Sequence, residues 1–140
     1  MNMTRRLLML LPLAACLRAD SEKDARDLVA SLADALSAGK VELFLDFFDR
    51  GMPDFDKLRF NVAGLTGQSD VSCNVEIASN EGDDSERTLT LDWILTIEPK
   101  QDSPGATQRQ KTMKCRLKKM GKKWKIVSFA PVDLFAPAGA

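Results

Sequence analysis

The segment Thr88-Leu89-Thr90-Leu91-Asp92-Trp93-Ile94-Leu95-Thr96-Ile97 decides the fold. Its odd positions are all apolar, and Thr88, Thr90, Asp92 and Thr96 stand between them. Side chains alternate across a strand, so this is a long strand with one buried face. The same period two holds upstream, where Val71, Cys73, Val75 and Ile77 alternate with Ser72, Asn74 and Glu76. Between them Ser79 to Glu86 is acidic, holds Asn80 and Gly82, and reads as a hairpin loop. Downstream, Pro99 to Thr107 is a second loop marked by Pro104-Gly105. A third strand carries Met113, Cys115 and Leu117 on one face and Lys114, Arg116 and Lys118 on the other. Gly121 marks a tight turn. Trp124 and Ile126 then face opposite to Lys125, Val127 and Phe129 on a last strand that Pro131 ends.

Upstream of the strands the period changes. Ala25, Leu28, Val29, Leu32 and Leu36 recur at helical spacing. Ser21 and Asp24 suggest a capping box that opens this helix, and Gly39 closes it. Val41, Phe44, Leu45 and Phe48 share one face of a second short helix that Gly51 ends. Pro53 and Asp54 start a third, with Phe55, Leu58, Val62 and Leu65 inward and Gly64 near its end. Three helices followed by four strands make an α+β unit, an antiparallel meander covered on one face by helices. In a meander the first and third strands sit about 9–10 Å apart. A disulfide needs Cα atoms within about 7 Å. Cys73 and Cys115 are therefore expected as buried free thiols.

This order of parts resembles the nuclear transport factor 2-like superfamily, the curved α+β roll that also includes ketosteroid isomerase. The resemblance rests on "ALSAGKVELFLDFFD" (Ala35–Asp49), a third helix before the sheet, and the closing hairpin "KKMGKKWKIVSF" (Lys118–Phe129) with Gly121, Trp124 and Ile126. It covers Asp20 to Leu134. The family's short strand between the second and third helices has no counterpart in Asp49–Pro53, which is too short for one. The resemblance implies a sheet bent around the helices with a conical cavity between them. Some members catalyse reactions there, and many are non-catalytic binding or dimerisation modules, so fold alone leaves function open.

Residues 1–19 read as a targeting segment. Arg5 and Arg6 precede an apolar run, Leu7 to Ala15, broken only by Pro12 and too short to span a bilayer. Leu13-Ala14-Ala15-Cys16 resembles the lipobox of bacterial lipoproteins, in which the cysteine is lipidated and becomes the first mature residue. Leu17 after it, rather than Asp, implies the outer membrane. The alternative is a plain secretory signal cut after Ala19. Either reading exports the chain, as a domain over residues 20–134 followed by a small-residue tail over 135–140 expected to be disordered.

Composition limits the chemistry. The 140 residues are 44% apolar and 29% charged, ordinary globular values for one domain. There is no His and no Tyr. Ser-His-Asp triads, Cys-His dyads and His-based zinc sites are excluded. The isomerase-like members of the resembling fold use an Asp or Glu base with a Tyr-plus-acid oxyanion site, which this chain cannot copy. The catalytic candidate that remains is Asp92, outward-facing with Thr90 and Thr96. Its expected role is an exposed cross-strand ion pair with Lys114 or Arg116. The acidic loop of Glu81, Asp83, Asp84 and Glu86 lacks EF-hand spacing and reads as a soluble hairpin tip. No metal or cofactor is expected.

The zero net charge is a cancellation. Residues 16–98 hold 8 basic and 18 acidic side chains, and residues 99–140 hold 10 basic and 2 acidic. Lys114, Arg116, Lys118, Lys123 and Lys125 are expected on one sheet face. They suit an anionic headgroup, an acidic partner, or protection of an edge strand. Without aromatic interleaving, and in an exported protein, nucleic acid is not expected. Phe44, Phe48, Phe55, Leu58, Trp93, Met113 and Trp124 are candidates to line an apolar pocket, with plain core filling the alternative. The reading is a membrane-tethered, non-enzymatic module for a small apolar ligand or a protein partner, with a homodimer through the outer sheet face. A small lyase, isomerase or hydrolase using a pocket carboxylate is the alternative.

Overall fold

The structure, a computed structural model, describes residues 2–100 and 105–137, with side chains from Asp20 onward. The first helix, α1, spans Asn2–Ser37. It is one continuous helix across Ser21, so the expected capping box is absent. A cap signal acts only where the preceding chain is non-helical, and the Leu- and Ala-rich sequence before Ser21 itself favours helix. Ala25, Leu28, Val29, Leu32 and Leu36 are buried as their spacing requires. Gly39 ends the helix at φ 71°, in the left-handed region. The second helix, α2, is only Val41–Leu45, shorter than expected. The chain leaves it to form a single parallel bridge between Phe48 and Ile126. The third helix, α3, is Phe55–Gln68.

Four antiparallel strands follow in the order β1-β2-β3-β4: Ser69–Gly82, Glu86–Pro99, Thr107–Met120 and Lys123–Ala130. The sheet is a curved meander with the helices on one face. The first hairpin loop shrinks from the expected Ser79–Glu86 to three residues, 83–85. Asp83 makes this compact turn. Its Oδ1 accepts from Ser85 N (2.9 Å), Ser85 Oγ (2.8 Å) and Glu86 N (2.9 Å). Those bonds hold its carboxyl down at about 2. Gly82 is required there, since a Cβ would sit 2.2 Å from Glu86 O.

Leu89, Leu91, Trp93, Leu95, Met113, Cys115 and Leu117 are all within 1% of full burial, as alternation demands. Phe129 breaks the expectation. Alternation placed it on the outer face with Lys125 and Val127, but it is 3% exposed in the core. The β3–β4 register slips between Arg116 and Leu117, which pair with Ser128 and Ile126. Val127 is the extra residue of a bulge, and every later side chain changes face. Cys73 pairs with Leu95 and Cys115 with Leu89, so the cysteines are offset along the sheet by about 20 Å as well as separated by β2. Both are free.

A 3-10 turn, Val132–Phe135, ends the fold against α3. The tail expected to be disordered begins inside it. Asn61 Nδ2 donates to Val132 O (3.2 Å), and Arg109 Nη1 donates to Leu134 O (2.9 Å) and Ala136 O (2.6 Å). Gly64 leaves room for Pro137, whose Cγ would lie 2.7 Å from a Cβ there. Residues 138–140 lie outside the described residues.

Candidate functional site

The sequence nominated seven pocket-lining side chains, and six of them are core. Phe44, Leu58, Trp93 and Met113 are fully buried, Phe48 is 2% exposed and Phe55 5%. The space between helices and sheet is filled by rings in mutual contact. Phe44 meets Phe48 at 5.1 Å between centroids, and Phe48 meets Phe129 edge-on at 5.2 Å. Phe135 inserts among them, 5.3 Å and perpendicular to Trp93, 5.7 Å and stacked on Phe129, and 6.0 Å from Phe44. Tilted and edge-to-face pairs add about 0.5–1.5 kcal/mol each beyond the area they bury. Phe135 is wholly buried and closes the cone. Nothing in its local sequence, Leu134-Phe135-Ala136-Pro137, signals this. Only the return of the chain across α3 brings it there.

Burial also pushes up the two thiols. Cys115 rises to about 12 by desolvation, and Cys73 to about 11, with Ser37 and Trp93 opposing that rise. Neither is a thiolate near neutral pH, so neither is an activated nucleophile.

The seventh nominee, Trp124, stands elsewhere. With α1 and α2 it frames an open groove of about 800 Å³ on the molecular surface. One wall is acidic, with Asp24 and Asp27 on α1 and Asp46 at the end of α2. The other is the β3–β4 turn and the start of β4, with Lys122, Lys123, Trp124 and Lys125. Leu28, Leu43 and Phe47 supply apolar surface between them, and Leu43 is 48% exposed. The turn is tight because Gly121 takes φ 65° at the first of its two central positions. The Lys119 ammonium sits 5.9 Å from the Trp124 ring centroid. Among the described residues the indole Nε1 of Trp124 has no hydrogen-bond partner.

The outer sheet face separates the predicted charge partners. Asp92 lies opposite Glu76 on β1 and Thr112 on β3, and accepts from Thr112 Oγ1 at 3.3 Å. Lys114 instead pairs with Thr90 and donates to its Oγ1 at 3.2 Å, while Arg116 faces Thr88. The expected Asp92 ion pair is thus replaced by a hydrogen bond from an uncharged hydroxyl, because the register sets Lys114 and Arg116 two and four positions along. Lys114, Arg116 and Lys118 are exposed on this face. Lys125 faces Lys118 across the ladder, and its ammonium turns over the sheet edge to donate to Asp46 O. Lys123 is exposed beside the groove.

One functional-looking residue escaped the sequence reading. Arg87 is 5% exposed in β2. Its Nε donates to Asn80 Oδ1 (2.7 Å), Nη2 to Asn80 O (3.1 Å) and Nη1 to Ser21 Oγ (2.9 Å). Asn80 Nδ2 in turn donates to Glu22 O (3.2 Å). The guanidinium fork thus staples α1 to the first hairpin. Cys16, the lipidation candidate, lies outside the described side chains. Among the described residues no His, Cys, Asp and Glu group could hold a metal ion, and no helix is long and apolar enough to cross a membrane.

No family model and no curated protein matches the sequence. Solved structures do match the fold. A conserved protein from Planctomyces limnophilus aligns with a TM-score of 0.74 at 6% identity, covering 81% of this chain and 96% of that one. A nuclear transport factor 2-like superfamily protein from Salmonella enterica aligns at 0.64 and 11% identity, covering 86% and 93%. A protein proposed to be a scytalone dehydratase, from Novosphingobium aromaticivorans, aligns at 0.67 and 11%, covering 76% and 79%. At such identities the likeness shows the fold alone, and the fold is nuclear transport factor 2-like.

Proposed function

We propose that this chain is an exported, lipid-anchored, non-enzymatic binding module whose recognition surface is the groove beside Trp124. The observation that carries the binding half is the contrast of cavities. The cone where related folds host chemistry is filled with aromatic rings, whereas the charged groove is open. Asp92, on which a lyase, isomerase or hydrolase reading would depend, stands on the outer sheet face and takes a hydrogen bond from Thr112. Export and lipidation rest on Arg5, Arg6 and the Leu13–Cys16 sequence. Acyl chains on Cys16 would hold the domain at a membrane, each buried methylene adding about 0.8 kcal/mol.

The test is metabolic labelling with an alkyne fatty acid in a bacterial host, followed by membrane fractionation. Label on the wild-type chain and none on Cys16→Ala is the expected result. A chain that carries no label, or label that survives Cys16→Ala, overturns the anchor. Acrylamide quenching checks the groove: Trp124 should quench readily while Trp93 resists, and two equally protected indoles would remove the open groove.

A further inference from the structure

The hydrogen bonds of β4 reveal which part of its outer edge is covered. Ile126 N donates to Phe47 O (2.9 Å), and Asp49 N donates to Ile126 O (2.8 Å). Both backbone groups of Ile126 therefore point away from β3. In an antiparallel ladder this direction alternates with each residue. Lys125 turns its backbone toward β3, and Trp124 turns its N–H and C=O outward again. The partner strand agrees. Lys119, which lies opposite Trp124, donates its N–H to Ser85 O (2.8 Å), away from β4. Among the described residues the Phe48–Ile126 bridge is the only backbone pairing along this edge, which the Lys125 side chain also crosses to reach Asp46 O. At Trp124 the edge opens into the groove.

The geometry points to an extended peptide segment of a partner protein as the occupant of this groove, pairing its backbone with Trp124 as the Phe47–Asp49 segment pairs with Ile126. This deepens the binding-module reading and rests on it. An exposed edge with an outward N–H and C=O is a template for strand addition. The charges on the two sides specify the occupant further. Trp124 and Ile126 lie on the helix side of β4, so the inward residues of an added strand meet Asp24 and Asp27 of α1 and the Trp124 indole. The outward residues meet Lys123 and Lys125. A strand alternating basic inward and acidic outward residues fits both sides, and a basic side chain can also lie on the indole face. A groove of about 800 Å³ is in the range of ligand sites, and about six extended residues span roughly 20 Å.

The probe is a capped synthetic peptide of about six residues alternating Arg and Glu, titrated against the full chain in detergent. Trp124 emission should shift, and the Trp124 amide should gain protection from hydrogen exchange. N-methylation of the alternate residues on one backbone edge should weaken binding about tenfold, whereas methylating the other edge should not. A block peptide of the same composition should bind more weakly, and Asp24→Asn with Asp27→Asn should weaken the alternating peptide alone. Indifference to N-methylation, an unprotected Trp124 amide, or no binding overturns edge pairing. Lipid on Cys16 without peptide binding removes this inference and leaves the anchor standing, while binding without lipid does the reverse.

Discussion

The cone is lined by aromatic rings with aliphatic neighbours, the groove by a few apolar side chains between carboxylates and ammonium groups, and one is closed while the other is open. The difference lies in where the chain ends up after β4. Beyond Pro131 it turns back over α3, so Val132, Leu134 and Phe135 are delivered to the mouth of the cone and bury there. Among the described residues no comparable segment returns to the outer edge of β4 beyond Ile126. There the two walls of the groove carry opposite charges, groups that are costly to bury. The space between helices and sheet is filled by aromatic rings, and the open groove lies at the edge of the sheet.

The comparison breaks most sharply at Phe135. Phe135→Ala should cost about 3–5 kcal/mol in urea unfolding and give the cone a volume that an apolar dye can enter. A loss under about 1 kcal/mol would mean that the ring does not seal the core. Arg87→Met should follow, at about 2–3 kcal/mol, because Ser21 and Asn80 lose a charged donor in a buried place. Arg87→Lys should not restore the loss, since an ammonium cannot span Asn80 and Ser21 as the fork does. Full rescue by lysine would reduce the staple to a mere positive charge.

The thiols give a pH test of how dry the sheet's inner face is. Folding raises Cys115 to about 12 and Cys73 to about 11 from an ordinary value near 9. Between those limits the unfolded chain has lost protons that the folded one keeps. The thiols' contribution to stability should therefore be constant below about pH 9 and fall as pH rises through 9 to 12. At pH 8 a thiol reagent should leave Cys115 unmodified in the folded chain and modify it in urea. Rapid labelling of the folded chain would show a core open to solvent. The smallest effect belongs to Asp92→Asn, within about 0.5 kcal/mol, because it exchanges one exposed hydrogen-bond acceptor for another. A larger loss would restore a working role to this carboxylate.

Much of the architecture was legible because alternation and helical spacing are local signals. Leu89 through Ile97 announced β2, and Ala25 through Leu36 announced the buried stripe of α1. The errors share one cause. The side on which Phe129 falls depends on a bulge at Val127, and a bulge is a property of two paired strands. The neighbours of Asp92 depend on register, which shifted Lys114 onto Thr90. Ser21 looked like a cap and is instead the far end of the Arg87 network, reached across 66 residues. The seven pocket candidates carried plain core filling as a second reading, and six of them take it. Seven apolar residues could be named from sequence, but only packing could tell that six face one another and that Trp124 faces a groove.

The α+β order, the lack of His and Tyr side chains and the basic closing hairpin could be read directly from the sequence. These depend on residue types and on spacings within single elements. The tertiary structure alone decided that the cone is full, that Arg87 ties α1 to the sheet, and that Trp124 turns its backbone to an open edge. Each of these depends on contacts between residues far apart in the chain, where packing and hydrogen-bond direction override any local pattern.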